Sequence, residues 1–209
     1  MSTPPTVPAI IPLSLLEAIR NLDTPVEDGL AELAEEIVVR RLGLSPTVAA
    51  QIQRYRTAAQ KDSAVGADEA ISVLRLVGRR PDASLVFADA GRRAARYAAR
   101  AHGRSALTLA RVSPGGLGHR LALRSAGRLA RRVFRGELRA KPYASEVRMA
   151  DPLSITAMPD GAACTFYGAV YGELLRCLAG YEGAMIHEHC QSRGDEACVW
   201  RSAAAEVYE

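Results

Sequence analysis

The 209-residue chain has no long uninterrupted apolar run, and its first residues show neither a basic segment nor a continuous apolar stretch. A membrane-spanning helix needs about 20 consecutive apolar residues, and a secretory signal needs both of the missing features. We therefore expect no transmembrane segment and a cytoplasmic location, with peripheral contact to the inner membrane left open. In that compartment the four cysteines are expected to be thiols or metal ligands rather than disulfides.

Acidic residues are nearly absent from one part of the chain. Residues 92–139 carry 13 arginines and a single acid, Glu137, whereas the segments on both sides are net negative. Such a concentration of charge attracts anionic ligands or surfaces, although solvated arginines on the outer faces of helices are an equally good interpretation. The stretch contains only two aromatic residues, Tyr97 and Phe134, and no nucleic-acid-reading motif, so we expect no nucleic-acid partner.

Helical periodicity dominates the first two thirds of the chain, and a period of two follows. Helices are predicted over residues 30–42, 47–60, 67–77, 82–101, 117–133 and 162–178. Strands are predicted over residues 134–139, 145–150, 184–190 and 197–202. This order predicts an α+β fold, with N-terminal helices followed by a small antiparallel sheet that is interrupted by one helix. Residues 1–12 contain four prolines and are expected to form a flexible arm, residues 13–80 a helical region, and residues 81–209 a ligand-binding domain.

Four side chains that commonly bind metals occur in order near the C-terminus: Cys164, His187, Cys190 and Cys198. Three thiolates and one imidazole complete a tetrahedral zinc site with no position left for water, so such a site is structural. Glu188 and His189 compete with His187 for the fourth position because the three residues are consecutive. The simpler alternative is a group of buried thiols that only pack together.

The segment from Cys164 to Trp200, CTFYGAVYGELLRCLAGYEGAMIHEHCQSRGDEACVW, resembles the C-terminal half of a vinyl-4-reductase domain. In that family a helix beginning at a cysteine leads to a strand, a cysteine, a Gly-Asp turn and a final cysteine. The resemblance implies a zinc site of three cysteines and one glutamate, and His187 occupies the place of the glutamate. The segments LGHRLALRSA and ARRVFRG resemble the bacteriochlorophyll 4-vinyl reductase branch, so that the resemblance extends over residues 82–202.

A hydride-transfer site is not evident in the sequence. The only glycine-rich candidate, Gly115–Gly118, follows a proline, lacks a preceding strand and has Leu121 where the third glycine is needed. Iron–sulfur spacing is also missing, and a zinc ion with four protein ligands cannot polarise a substrate. No catalytic residue is therefore assigned, and the sequence favours binding over catalysis.

The resemblance implies a tetrapyrrole-binding accessory protein of bacteriochlorophyll biosynthesis. It would hold a magnesium porphyrin or a chlorophyllide-type pigment, deliver it to enzymes of the pathway, and form a homodimer. The alternatives are a 4-vinyl reductase acting on divinyl (proto)chlorophyllide with a hydride from a partner, or a sensor of small aromatic molecules. The candidate ligand-binding residues are Phe166, Tyr167 and Tyr171 for the ring, one of Arg120, Arg124, Arg128 and Arg131 for a propionate, and His119 or His102 for magnesium. Core packing of the aromatic residues and surface exposure of the histidines are the plainer alternatives.

Overall fold

Seven α-helices and six short strands make up the part of the chain that the computed structural model describes, which is residues 5–24, 43, 45–102, 116–140 and 145–204. In chain order the helices are α1 (Ile10–Asp23), α2 (Pro46–Gln60), α3 (Ala67–Gly78), α4 (Ala83–His102), α5 (Gly116–Phe134), α6 (Leu153–Ala157) and α7 (Cys164–Ala179). The strands are β1 (Thr6–Pro8), β2 (Ala64–Gly66), β3 (Glu137–Ala140), β4 (Ser145–Met149), β5 (Gly183–His189) and β6 (Cys198–Ala204). None of the described helices combines the length and the apolar character that crossing a bilayer requires.

The main sheet has the strand order β3-β4-β6-β5, and every neighbouring pair is antiparallel. Helix α7 lies between β4 and β5 in the chain, so the predicted α+β arrangement of an antiparallel sheet with an inserted helix is confirmed. The pairing of β5 with β6 shifts at Glu188, because His187 pairs with Trp200 whereas His189 pairs with Val199. Glu188 is thus the extra residue of a β-bulge.

The core is built around the crossing of α4 and α7, which approach closely because Gly91 has no side chain. A Cβ atom at Gly91 would lie 2.3 Å from the backbone oxygen of Phe166. Helix α1 packs on α4 as well, and a single hydrophobic core extends from Val7 to Trp200. Helices from both sides of the predicted boundary near residue 80 therefore share one core, and the division into two regions stays a prediction.

The expectation of a flexible arm over residues 1–12 is wrong from residue 5 onwards. Strand β1 pairs antiparallel with β2, with Val7 opposite Val65, and helix α1 begins at Ile10. The physical reason is burial, since Val7 is 3% exposed and Ile11 is 2% exposed. Prolines are compatible with this short strand because an edge strand leaves some of its backbone N–H groups without a hydrogen bond to a neighbouring strand.

The boundaries of the predicted elements otherwise agree closely, with one exception in the described residues. The strand predicted from Phe134 begins only at Glu137, because Phe134 is buried at the end of α5 and Arg135 then turns the chain with a φ of 57°. Helices α1 and α6 and strands β1 and β2 were not predicted. The helix expected over 30–42 and the hairpin connection at 141–143 lie outside the described residues.

Candidate metal centre

Four side chains, contributed by α7, β5, β6 and the residue that directly follows β5, converge on one point. The ligand atoms of Cys164, His187, Cys190 and Cys198 all lie within 4.8 Å of one another. The Sγ atom of Cys190 is 4.0 Å from that of Cys164 and 3.8 Å from that of Cys198. A disulfide requires about 2.05 Å, whereas sulfurs bound tetrahedrally to one ion at about 2.3 Å are about 3.8 Å apart. The spacing therefore fits a shared ion and not a disulfide.

The bulge at Glu188 explains how two of these ligands reach the same point. His187 belongs to β5, and Cys190, three residues after His187, directly follows the end of that strand. In a regular strand, residues three apart point to opposite faces of the sheet. The extra residue reverses this alternation locally, so that both side chains reach Cys198 at the start of β6 and Cys164 at the start of α7.

His187 has the environment of a metal ligand. Its Nε2 atom is buried and has no hydrogen-bond partner among the described residues. An unsatisfied buried nitrogen costs about 1–3 kcal/mol, a cost that a bound ion would remove. Burial, assisted by the positive charge of Arg193, lowers the pKa of His187 and favours the neutral imidazole, which is the form that binds metals.

Hydrogen bonds surround the sulfurs and position them. The Ser154 hydroxyl lies 3.2 Å from Cys164 Sγ, and the Ser192 hydroxyl lies 3.0 Å from Cys190 Sγ. Burial would raise the pKa of Cys190, but the hydroxyl and backbone N–H of Ser192 outweigh it and lower that pKa. Burial raises the pKa of Cys164 and Cys198, so these two thiols need a bound cation to become thiolates at neutral pH.

The competing ligands lie outside this cluster. His189 is exposed, with its Nδ1 atom 3.3 Å from Asp195, and Glu188 accepts a hydrogen bond from Arg201. The remaining cysteine, Cys177, is half-buried on α7 and donates to Glu173. A Cys₃His group that could hold a metal ion is therefore formed with His187 as the fourth member.

The aromatic residues predicted to bind a ligand form the core instead. Phe166, Tyr167 and Tyr171 are each at most 2% exposed. The Tyr171 hydroxyl donates to the Met149 sulfur at 2.7 Å, and Tyr167 and Tyr171 both contact the ring of Trp200. The prediction of a ligand pocket between them is wrong for this structure, because the sheet closes over that face of α7.

Arg120 and Arg124 line a different space. An open groove of about 700 Å³ runs beside α5, bordered by these residues and by His102, Arg128, Arg131 and Arg132. Leu123, Leu129 and Leu138 contribute the apolar part of its wall. His119 is exposed near the start of α5 and does not belong to the groove. The four-residue spacing in the sequence indicated the arginine row and the neighbouring apolar row of α5, but it did not indicate that Leu138 of β3 would adjoin them.

No protein-family model, no curated protein and no solved structure matches the chain. The Cys₃His cluster and the arginine-lined groove are therefore the two features from which a function can be inferred.

Proposed function

We propose that the chain binds a tetrapyrrole pigment, of the magnesium porphyrin or chlorophyllide type, in the groove beside α5. As an accessory protein of bacteriochlorophyll synthesis, it would hold the pigment and pass it to the enzymes that act on it. The observation that carries the proposal is the pairing of a row of arginines with leucines in one open groove. Tetrapyrroles of this type are flat and apolar and carry carboxylates, so they need both kinds of contact.

The spacing of the arginines suits a ligand with carboxylates on its edge. Arg120, Arg124 and Arg128 follow each other at intervals of four residues on α5, which places them about 6 Å apart along the helix axis. A guanidinium can bind a carboxylate through two parallel hydrogen bonds. The groove volume of about 700 Å³ falls within the range of about 300–1,000 Å³ that is typical of small-molecule sites.

We further infer that the metal held by the Cys₃His cluster is zinc. Thiolate and imidazole ligands in tetrahedral spacing favour this ion, and four protein ligands leave no position for a substrate. When bound, zinc would join the start of α7 to the β5–β6 hairpin, and its role would be to hold the fold together. The resemblance to vinyl-4-reductase domains supports the same assignment.

The test is a titration of the purified protein with magnesium protoporphyrin, followed through the Soret band of the pigment. We expect a saturable shift that weakens about tenfold in the double variant R120E/R124E. The matched control is R79E/R92E, which changes the net charge equally at two exposed arginines outside the groove and should bind normally.

Three outcomes would contradict the proposal. A titration without a Soret shift would exclude pigment binding. Conversion of a divinyl to a monovinyl pigment by the protein with an added hydride donor would favour the reductase alternative. Tight binding of simple phenols without binding of porphyrins would favour the sensor alternative, and it would require the buried aromatic core to open.

A further inference from the structure

The outer side of α5 carries a row of exposed residues. Its members follow each other at intervals of three or four positions, which keeps them on one side of the helix. They are Leu117, Arg120, Arg124, Arg128 and Arg131. From Leu117 to Arg131 the row is about 21 Å long, at about 1.5 Å per residue. The opposite side of α5 packs in the core, where Ala126 and Leu129 are at most 4% exposed. The helix is therefore held in one orientation, with the row facing outwards.

The arginines of this row lack acidic partners, in contrast to arginines elsewhere in the fold. On α4, for example, Arg96 pairs with Glu173 at 2.7 Å. None of the described acids forms an ion pair with an arginine of the row, and Asp62 pairs with the neighbouring Arg132 instead. In the sequence, residues 90–136 contain no acid at all. The positive charge of this face is thus left for an anionic partner from outside the chain.

Leu117 gives the row an apolar end. It lies in the first turn of α5, is 60% exposed, and is one of only four large apolar side chains that are exposed in the described part of the chain. Leu121, one turn later, is half-buried beside it. A leucine next to several cations suits a lipid surface, because the cations contact phosphates while the leucine leaves water. A nucleic acid would use the arginines but offers no apolar environment to the leucine.

We propose that this face of α5 docks on the surface of a membrane that contains anionic phospholipids. The guanidinium groups contact lipid phosphates, and Leu117 enters the headgroup layer. Because Arg120 and Arg124 also border the groove, docking places the groove at the membrane surface, where an apolar pigment would dissolve. The inference goes beyond the proposed function and does not require a bound pigment.

The experiment is co-sedimentation of the full-length protein, without pigment, with two kinds of lipid vesicle. One kind consists of phosphatidylcholine alone, and in the other about one third of the lipid is phosphatidylglycerol. We expect at least about tenfold tighter binding to the anionic vesicles, because each arginine near such a surface adds to the affinity. Salt at about 1 M should remove most of this binding, since it screens charges that are more than about 3 Å apart.

A pair of charge variants tests the arginines of the row. R128E/R131E should weaken binding to the anionic vesicles at least about tenfold. R79E/R92E is the matched control, because it changes the net charge equally at two exposed arginines outside α5 and should bind within about twofold of the unmodified protein. Equal losses in the two variants would show that net charge, and not this face, determines binding.

A pair of leucine variants tests the apolar end of the row. L117E should weaken vesicle binding about tenfold, whereas L85E should not, although Leu85 is 62% exposed at the start of α4. Leu117 does not border the groove, so L117E should still shift the Soret band of magnesium protoporphyrin as the unmodified protein is expected to do. A failure of membrane docking is thus distinguished from a failure of the proposed function.

Three results would overturn the inference. They are equal binding to both kinds of vesicle, equal effects of L117E and L85E, and binding to a DNA duplex without binding to the anionic vesicles.

Discussion

The imidazole of His187 is stacked on the indole of Trp200, with ring centroids 4.6 Å apart and planes inclined by 8°. The two residues face each other across the β5–β6 pairing. Trp200 also contacts Tyr167 and Tyr171 on α7. The candidate metal ligand His187 is therefore held directly against the largest aromatic residue of the core, so we expect metal binding and core packing to affect each other.

Trp200 should report metal binding through its fluorescence. It is the only tryptophan of the chain and is 1% exposed. Removal of the proposed zinc with a strong chelator at neutral pH would free His187 and loosen the hairpin, so we expect a red shift of the emission that added zinc reverses. An emission spectrum that stays the same while the metal content falls to zero would contradict the coupling between the centre and the core.

Substitution of single cysteines should distinguish the cysteines of the metal centre from Cys177, which lies outside it. We expect C198S to lose zinc and to lower the free energy of unfolding by about 3 kcal/mol, a fall of about 10 °C in Tm. C177S is the matched control, because Cys177 lies outside the cluster and should retain one zinc per chain. Elemental analysis and thermal unfolding measure both effects. Less than about half an equivalent of zinc in the unmodified protein, purified without chelator, would count against the centre.

The fourth ligand can be identified by replacing zinc with cobalt. Tetrahedral cobalt(II) bound by three sulfurs and a nitrogen absorbs visible light strongly, whereas cobalt(II) bound at a solvent-exposed site absorbs visible light only weakly. H187A should weaken metal affinity and change this spectrum, because it removes the buried Nε2 atom from the cluster. H189A removes an exposed imidazole two residues away and should leave the spectrum unchanged. The opposite result would assign the site to His189.

The crossing of α4 and α7 should be sensitive to a single methyl group. In G91A the new Cβ atom would meet the backbone oxygen of Phe166 at 2.3 Å, which no side-chain rotation relieves. We expect a loss of about 2 kcal/mol in denaturant unfolding, despite the higher helix propensity of alanine. The control is G127A in the middle of α5, where the nearest atom would be 3.8 Å away and stability should rise slightly. Equal effects of the two substitutions would show that the helices do not approach as described.

Acid stability should depend on Glu173. Burial would raise its pKa, but hydrogen bonds from Arg176 and Arg96 outweigh this effect and lower the pKa from 4.5 to about 2. Because the folded-state pKa is the lower one, the stabilisation is complete above about pH 4.5 and is lost as the pH falls towards 2. E173Q should cost about 2 kcal/mol at pH 7, with the difference from the unmodified protein narrowing between pH 4.5 and 2. E137Q, at an exposed glutamate of β3, is the matched control and should change the free energy of unfolding at pH 7 by less than about 0.5 kcal/mol.

The sequence was most informative where a periodic pattern continued over several turns. The apolar and arginine rows from Leu117 to Val133 predicted α5 within one residue at each end. The order of Cys164, His187, Cys190 and Cys198 predicted which side chains converge, because hairpin partners and the start of the preceding helix are brought together by local connections.

Other features depended on contacts that no local pattern encodes. The choice of His187 over Glu188 and His189 depends on a bulge whose position is set by pairing with β6. The burial of Tyr167 and Tyr171 depends on a sheet that closes over α7. The sequence could not predict this, because the pattern of apolar residues along a helix is the same whether they face a core or a ligand pocket. Strand β1 was missed because three residues next to prolines gain their order only from pairing with β2, almost 60 positions away.

The bulge at Glu188 also restricts how this segment can change in length. Deleting Glu188 would restore a regular strand in which His187 and Cys190 are two positions apart, so that both side chains would still point to the same face. Adding one residue next to Glu188 while the bulge is kept would instead place these two side chains on opposite faces. A variant lengthened here would therefore lose metal binding although all four ligands were still present, whereas substitution of Glu188 by another residue would preserve it.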